Sequence, residues 1–123
     1  MAKIKRGGEA HIADECAKQL LAINEALDIL KGKWKIRIIG SLTFGKKRFK
    51  EMQREVQGIT AKMLSKELKE LEVNELVVRT VHNTIPVSVE YELTEYGKTL
   101  DSVIEELRNW GTKHRRRIIK RSK

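Results

Sequence analysis

The stretch RFKEMQREVQGITAKMLSKELKELEVNELVVRTV, residues 48–81, constrains the chain more than any other, because its apolar residues keep a helical period up to Asn74 and then lose it. Phe49, Met52 and Val56 recur at steps of three and four, which places them on one face of a short helix from Arg48 to Gln57 that Gly58 closes. Thr60 stands where its hydroxyl can cap a second helix, and Met63, Leu64, Leu68 and Leu71 give that helix a buried stripe as far as Asn74. β-Branched LVVRTV, turn residues HNTIP and then VSVEYEL follow, with Val87, Val89, Tyr91 and Leu93 alternating against Ser88, Glu90 and Glu92. Two helices joined at a glycine and followed by a two-stranded hairpin make a winged helix-turn-helix, whose second helix enters the DNA major groove.

The rest of the chain frames this motif. Residues 1–15 contain Gly7 and Gly8 and show no apolar periodicity, so they read as a flexible arm. Leu20, Ile23, Leu27 and Leu30 predict a helix from Cys16 to Leu30, ended by Gly32. WKIRIIGSLTF predicts a buried helix carrying Trp34, Ile38, Ile39 and Leu42, with Gly45 as its stop. Thr94 is placed to cap a last helix in which Tyr96, Leu100, Val103, Leu107, Trp110 and His114 alternate in steps of four and three. The expected fold class is mainly α with a small β-hairpin: a winged helix-turn-helix domain over residues 16–117, flanked by N- and C-terminal dimerisation helices, and a basic tail at 118–123.

Charge assigns a partner. The 123 residues carry a net charge of +9, and residues 112–123 hold seven Lys or Arg and no acid, leaving 19 basic against 17 acidic side chains elsewhere. Within that near-neutral remainder, residues 43–69 hold eight basic and three acidic side chains, and residues 70–111 hold three and nine. The positive charge therefore gathers at the motif. At 100° per residue Ala61, Lys62, Ser65, Lys66 and Lys69 fall opposite Leu64, Leu68 and Leu71, with Glu67, Glu70 and Glu72 on the flanks. Small side chains let a helix approach base edges and lysines neutralise phosphates, so Thr60, Ala61, Lys62, Ser65, Lys66 and Lys69 are the candidate DNA-binding residues of this helix. A merely solvated face would interleave its acids. Since the face lacks the Arg, Asn and Gln that make bidentate base contacts, specificity is expected to lean on half-site spacing and DNA shape.

Lys46, Lys47 and Arg48 precede the first motif helix and are placed to clamp phosphate. In the hairpin, Arg79, His82, Asn83 and Thr84 are wing candidates for the minor groove; the alternative is a solvent-facing strand and turn. Trp34, Tyr91 and Trp110 read as packing residues, and Glu90 and Glu92 as the wet side of a strand. No Gly-rich phosphate loop is present, and His11, His82 and His114 are too scattered to join one cysteine in a metal site, so neither catalysis, cofactor nor metal is expected. The apolar runs, such as LLAI, fall far short of the ~20 residues of a membrane span. With no secretory signal and a single cysteine, the expected location is cytoplasmic.

The motifs GKWK, KKRFKEM, GITAKMLSKELKELE, LVVRTV, PVSVEYELTEYGKTL and NWGTKHR, in this order, resemble the HxlR-type branch of the MarR-like bacterial transcription regulators. The resemblance implies a homodimeric repressor or activator on a pseudo-palindromic double-stranded operator, joined through its terminal helices. Leu20, Ile23, Leu27, Leu100, Val103, Leu107 and Trp110 supply apolar seams for that role; a last helix lying over its own core is the alternative. The resemblance also implies that a small molecule or an oxidant could act as effector, with Cys16 as candidate redox sensor or else a small packed residue. A protein-interaction module that uses the fold without DNA is the competing function.

Overall fold

The computed structural model describes residues 9–122, without the side chains of residues 9–11. The chain divides into two compact units that meet between Lys31 and Gly32.

Among its described residues the first unit holds one helix, α1 (Glu9–Ile29). It begins seven residues earlier than the Cys16 start its apolar stripe predicts, so the second half of the expected flexible arm is helical, and the first half lies outside the described residues. The sequence EAHIADE has good helix formers and neither Gly nor Pro, and propensity needs no apolar stripe to act. Leu20, Leu21, Ile23 and Leu27 are exposed.

The second unit holds α2 (Lys35–Leu42), β1 (Lys47–Arg48), α3 (Phe49–Glu55), α4 (Ala61–Val73), β2 (Val77–His82), β3 (Ser88–Leu93), a 3-10 turn (Gly97–Leu100) and α5 (Asp101–Arg121). Its core is the meeting of the predicted stripes: Ile38 and Ile39 of α2, Met52 of α3, and Leu64, Leu68 and Leu71 of α4 are fully buried, with Leu76, Val77, Leu93 and Ile104 closing around them. The unit is a winged helix-turn-helix. α3 and α4 are the helix pair, turned at Gly58, whose φ of +89° is open to glycine at little cost. Thr60 caps α4 as expected, its hydroxyl accepting from the Met63 N–H at 3.1 Å.

The sheet has three antiparallel strands in the order β1-β3-β2, not the two of a lone hairpin. β1 sets Lys47 opposite Tyr91 and Arg48 opposite Glu90, while β2 pairs Val77 with Leu93 and His82 with Ser88. Two residues are too few to show alternation, which is why this strand escapes a periodicity reading.

A tight corner ties the end of α4 to the start of α5. Thr94 donates its hydroxyl to the Glu75 carbonyl at 2.6 Å and accepts from the Gly97 N–H at 2.9 Å, while its own N–H donates to the Leu76 carbonyl at 3.1 Å. Thr94 therefore holds the first residue of the 3-10 turn that leads into α5 and does not cap α5 itself, whose N-cap is Leu100. Gly97 packs so close to the turn before β2 that an added Cβ would sit 2.1 Å from the Leu76 carbonyl oxygen. Beyond the corner α5 runs unbroken to Arg121, so most of the expected basic tail is helix. Lys and Arg are good helix formers, and Lys120 and Arg121 complement the negative end of the helix dipole.

Candidate nucleic-acid interface

On α4 the buried and exposed faces separate sharply. Leu64, Glu67, Leu68 and Leu71 point inward, and Ala61, Lys62, Ser65, Lys66 and Lys69 are exposed together on the other side. Glu67 corrects the sequence reading, which put it on a flank. Its carboxylate is buried and accepts from Lys35 Nζ at 2.7 Å, and the same ammonium donates to Glu70 at 3.1 Å. Burial works to lower the Lys35 pKa, but hydrogen bonds and charge from Glu67 and Glu70 outweigh it and leave it raised. Glu70 is lowered, first by its hydrogen bond from Lys35. Lys66 Nζ stands 3.6 Å from the other Glu70 oxygen, so this carboxylate touches both a buried lysine and an outward one. No sequence period could reveal the pairing, because its partners are 32 residues apart.

The three basic residues before α3 part company. Lys46 and Arg48 are exposed. Lys47 is largely covered, pairs with Glu55, and has its ammonium 5.7 Å from the Phe44 ring centroid. Ser41 donates to the same Glu55 carboxylate at 2.9 Å. The Lys47 hydrogen bond, then that of Ser41, hold Glu55 below the usual carboxylate range. The positive charge of Lys47 is thus already engaged, whereas among the described residues Lys46 and Arg48 have no ion pair.

In the wing, Arg79, Asn83 and Thr84 are exposed. The His82 imidazole lies 2.5 Å from the Glu90 carboxylate, across the two strands. Thr84 donates its hydroxyl to the Pro86 carbonyl at 2.8 Å, which occupies it within the turn. Tyr91 is packed, as expected, and Glu92 is exposed. Trp34 is half-buried, whereas Trp110 is 66% exposed and stacks on His114 with ring centroids 5.1 Å apart. Val103 and Leu107 are exposed beside it, and Leu100 is partly covered. Cys16 is an exposed free thiol. Among the described residues no group of three or more His, Cys, Asp or Glu could hold a metal ion, and no helix is long and apolar enough to cross a membrane.

A family model described as HxlR-like helix-turn-helix matches residues 29–119. The chain belongs to this family. Similar proteins include an uncharacterized HTH-type transcriptional regulator, YtcD of Bacillus subtilis, 41% identical over 104 residues that cover 85% of this chain and 82% of that protein. Among solved structures, the oxidized form of the redox regulator HypR matches with a TM-score of 0.72 at 39% identity, covering 75% of this chain and 95% of that one. The reduced form of the transcriptional regulator YodB from B. subtilis matches with a TM-score of 0.65 at 43% identity, covering 72% and 87%. With this membership and the cationic face of α4, the chain is a DNA-binding transcription regulator and not an enzyme.

Proposed function

We propose that the chain acts as a homodimer on a pseudo-palindromic operator, each protomer laying α4 in the major groove and its wing along the adjacent minor groove. The observation that carries this reading is the division of α4: Leu64, Leu68 and Leu71 are closed in the core, and on the opposite side Ala61, Lys62, Ser65, Lys66 and Lys69 are exposed together. Ala61 and Ser65 are short enough to bring the helix near base edges, while Lys62, Lys66 and Lys69 reach phosphates. Thr60 serves by capping the helix start. Lys46 and Arg48 add phosphate contacts beside α3, and Lys47 supports the fold through Glu55. Arg79, His82, Asn83 and Thr84 form the wing contact, with Arg79 the residue suited to a narrow, negatively charged groove.

The dimer draws on the exposed apolar positions Leu20, Ile23 and Leu27 of α1, on Val103, Leu107 and Trp110 of α5, and on Leu100 just before it. Apolar surface left open along a helix is what a partner covers. Cys16, exposed and the only cysteine, is the candidate point of entry for an oxidant, in keeping with the redox-regulator description of HypR. With one thiol per chain, its product would be a mixed disulfide or a Cys16–Cys16 bridge between protomers.

The test is a gel shift on genomic fragments selected by the protein, against equal-length scrambled DNA and across a salt series. A salt-sensitive shift that prefers the selected fragment, with two protomers per DNA, is expected. Equal retention of both DNAs would return the chain to a protein-interaction role.

A further inference from the structure

Glu67 occupies a position that the helical period gives to the core. It belongs to the series Leu64, Glu67, Leu68, Leu71 and is 5% exposed, and its partner Lys35 is 3% exposed. Lys35 opens α2, one turn ahead of the fully buried Ile38 and Ile39. A pair of well-packed apolar residues would hold the two helices together as well, because replacing a buried ion pair by apolar side chains is often neutral or stabilising.

What the ion pair adds is direction. Apolar contact is non-directional and tolerates some rotation of α4 about its own axis. Two charge-assisted hydrogen bonds, from one ammonium to carboxylates at positions 67 and 70, do not. At a side-chain radius of about 6 Å, a rotation of about 20° displaces an exposed residue by about 2 Å. Long lysines can follow such a shift. Ala61 and Ser65 cannot, and a binding constellation needs placement to about 0.5 Å.

We propose that Lys35 is a positioning residue for DNA recognition: through Glu67 and Glu70 it locks the rotation of α4 and so decides how Ala61 and Ser65 meet the base edges. Lys35 itself touches no DNA. The proposal rests on the reading of α4 as the helix that enters the groove. Glu70 extends the lock to the surface, since it lies between Lys35 at 3.1 Å and Lys66 at 3.6 Å. The raised pKa of Lys35 keeps the ammonium charged throughout the physiological range.

The experiment uses the full chain with the double substitution Lys35→Met/Glu67→Leu, measured for thermal midpoint and for affinity toward the best selected fragment and a scrambled fragment. The thermal midpoint should be held or raised, scrambled-DNA affinity should stay within about twofold, and preference for the selected fragment should fall about tenfold, the equivalent of losing one good base contact. A folded double variant that discriminates like the wild type overturns the proposal.

Glu70→Gln keeps the question open to disproof even if the double variant fails to fold, because this side chain is partly exposed and keeps its shape. Removing an acid beside Lys66 should raise affinity for scrambled DNA while preference for the selected fragment falls about twofold to fivefold. Unchanged preference in that variant also overturns the proposal. A wild-type protein that binds both fragments alike removes the reading of α4 first, before any variant is compared.

Discussion

α4 and α5 are both amphipathic helices with a cationic surface, and the second unit treats them differently. On α4 the apolar stripe is closed: Leu64, Leu68 and Leu71 have essentially no exposed surface. On α5 only Ile104 is buried, while Leu107 is 50% exposed and Trp110 more so. The charges differ as well. α4 carries its lysines directly opposite its apolar stripe, whereas α5 gathers Lys113, Arg115, Arg116, Arg117, Lys120 and Arg121 in its C-terminal part, beyond the seam. A helix whose apolar side is spent within its own unit is free to present the other side to a ligand. A helix whose apolar side stays open has surface left for a partner to cover, and the partner we propose is a second copy of the chain.

The largest effect expected from this contrast is on stability. Leu68→Ala empties a closed site and should cost about 2–5 kcal/mol of unfolding free energy, whereas Leu107→Ala should cost the isolated unit well under about 1 kcal/mol. The same Leu107→Ala should weaken self-association by about 2 kcal/mol if the seam is a dimer contact. Chemical unfolding and sedimentation equilibrium on both variants read the two quantities separately. Equal losses of stability would erase the distinction between the helices.

Next comes the corner that joins them. Gly97→Ala drives a Cβ into the Leu76 carbonyl, and the backbone on one side must give way at about 1–3 kcal/mol. Because the corner orients α5 on the unit that carries α4, this variant should also weaken the use of two spaced half-sites while leaving single-site contacts intact. A thermal midpoint equal to the wild type's would show that the corner is looser than its hydrogen bonds indicate.

The smallest effect belongs to one exposed lysine. Lys69→Ala should lower affinity for all DNA sequences alike and reduce the slope of log affinity against log salt by about 0.9, the value of one phosphate contact. Loss of affinity confined to the selected fragment would make Lys69 a base reader and not a phosphate contact.

Much of the fold could be read from the sequence, for reasons that show where such reading ends. The stripe of α4, the Thr60 cap, the Gly58 turn and the alternation at Tyr91 and Leu93 are local patterns, and each is written within a few residues of where it acts. Features that depend on distant partners were hidden. β1 is two residues long and exists because β3 is there to receive it. Glu67 looked like one more surface acid on a charged helix until Lys35 came to meet it. Lys47 looked as available as Lys46 until the fold brought Glu55 beside it. The start of α1 at Glu9 and the run of α5 to Arg121 were missed for another reason: helix propensity continues where apolar periodicity stops. At the interface, the sequence could nominate the exposed face of α4 but not the buried pair behind it.

The central claim is that the closed helix α4 reads DNA and the open seam of α5 delivers it in pairs. Sequencing of genomic DNA selected by the full-length protein tests this most directly. The account predicts two short inverted half-sites with centres about one helical turn, 10–10.5 base pairs, apart, each with few fixed bases and a spacer of restricted composition. A single long half-site rich in fixed bases, or selected DNA with no shared sequence, would contradict it.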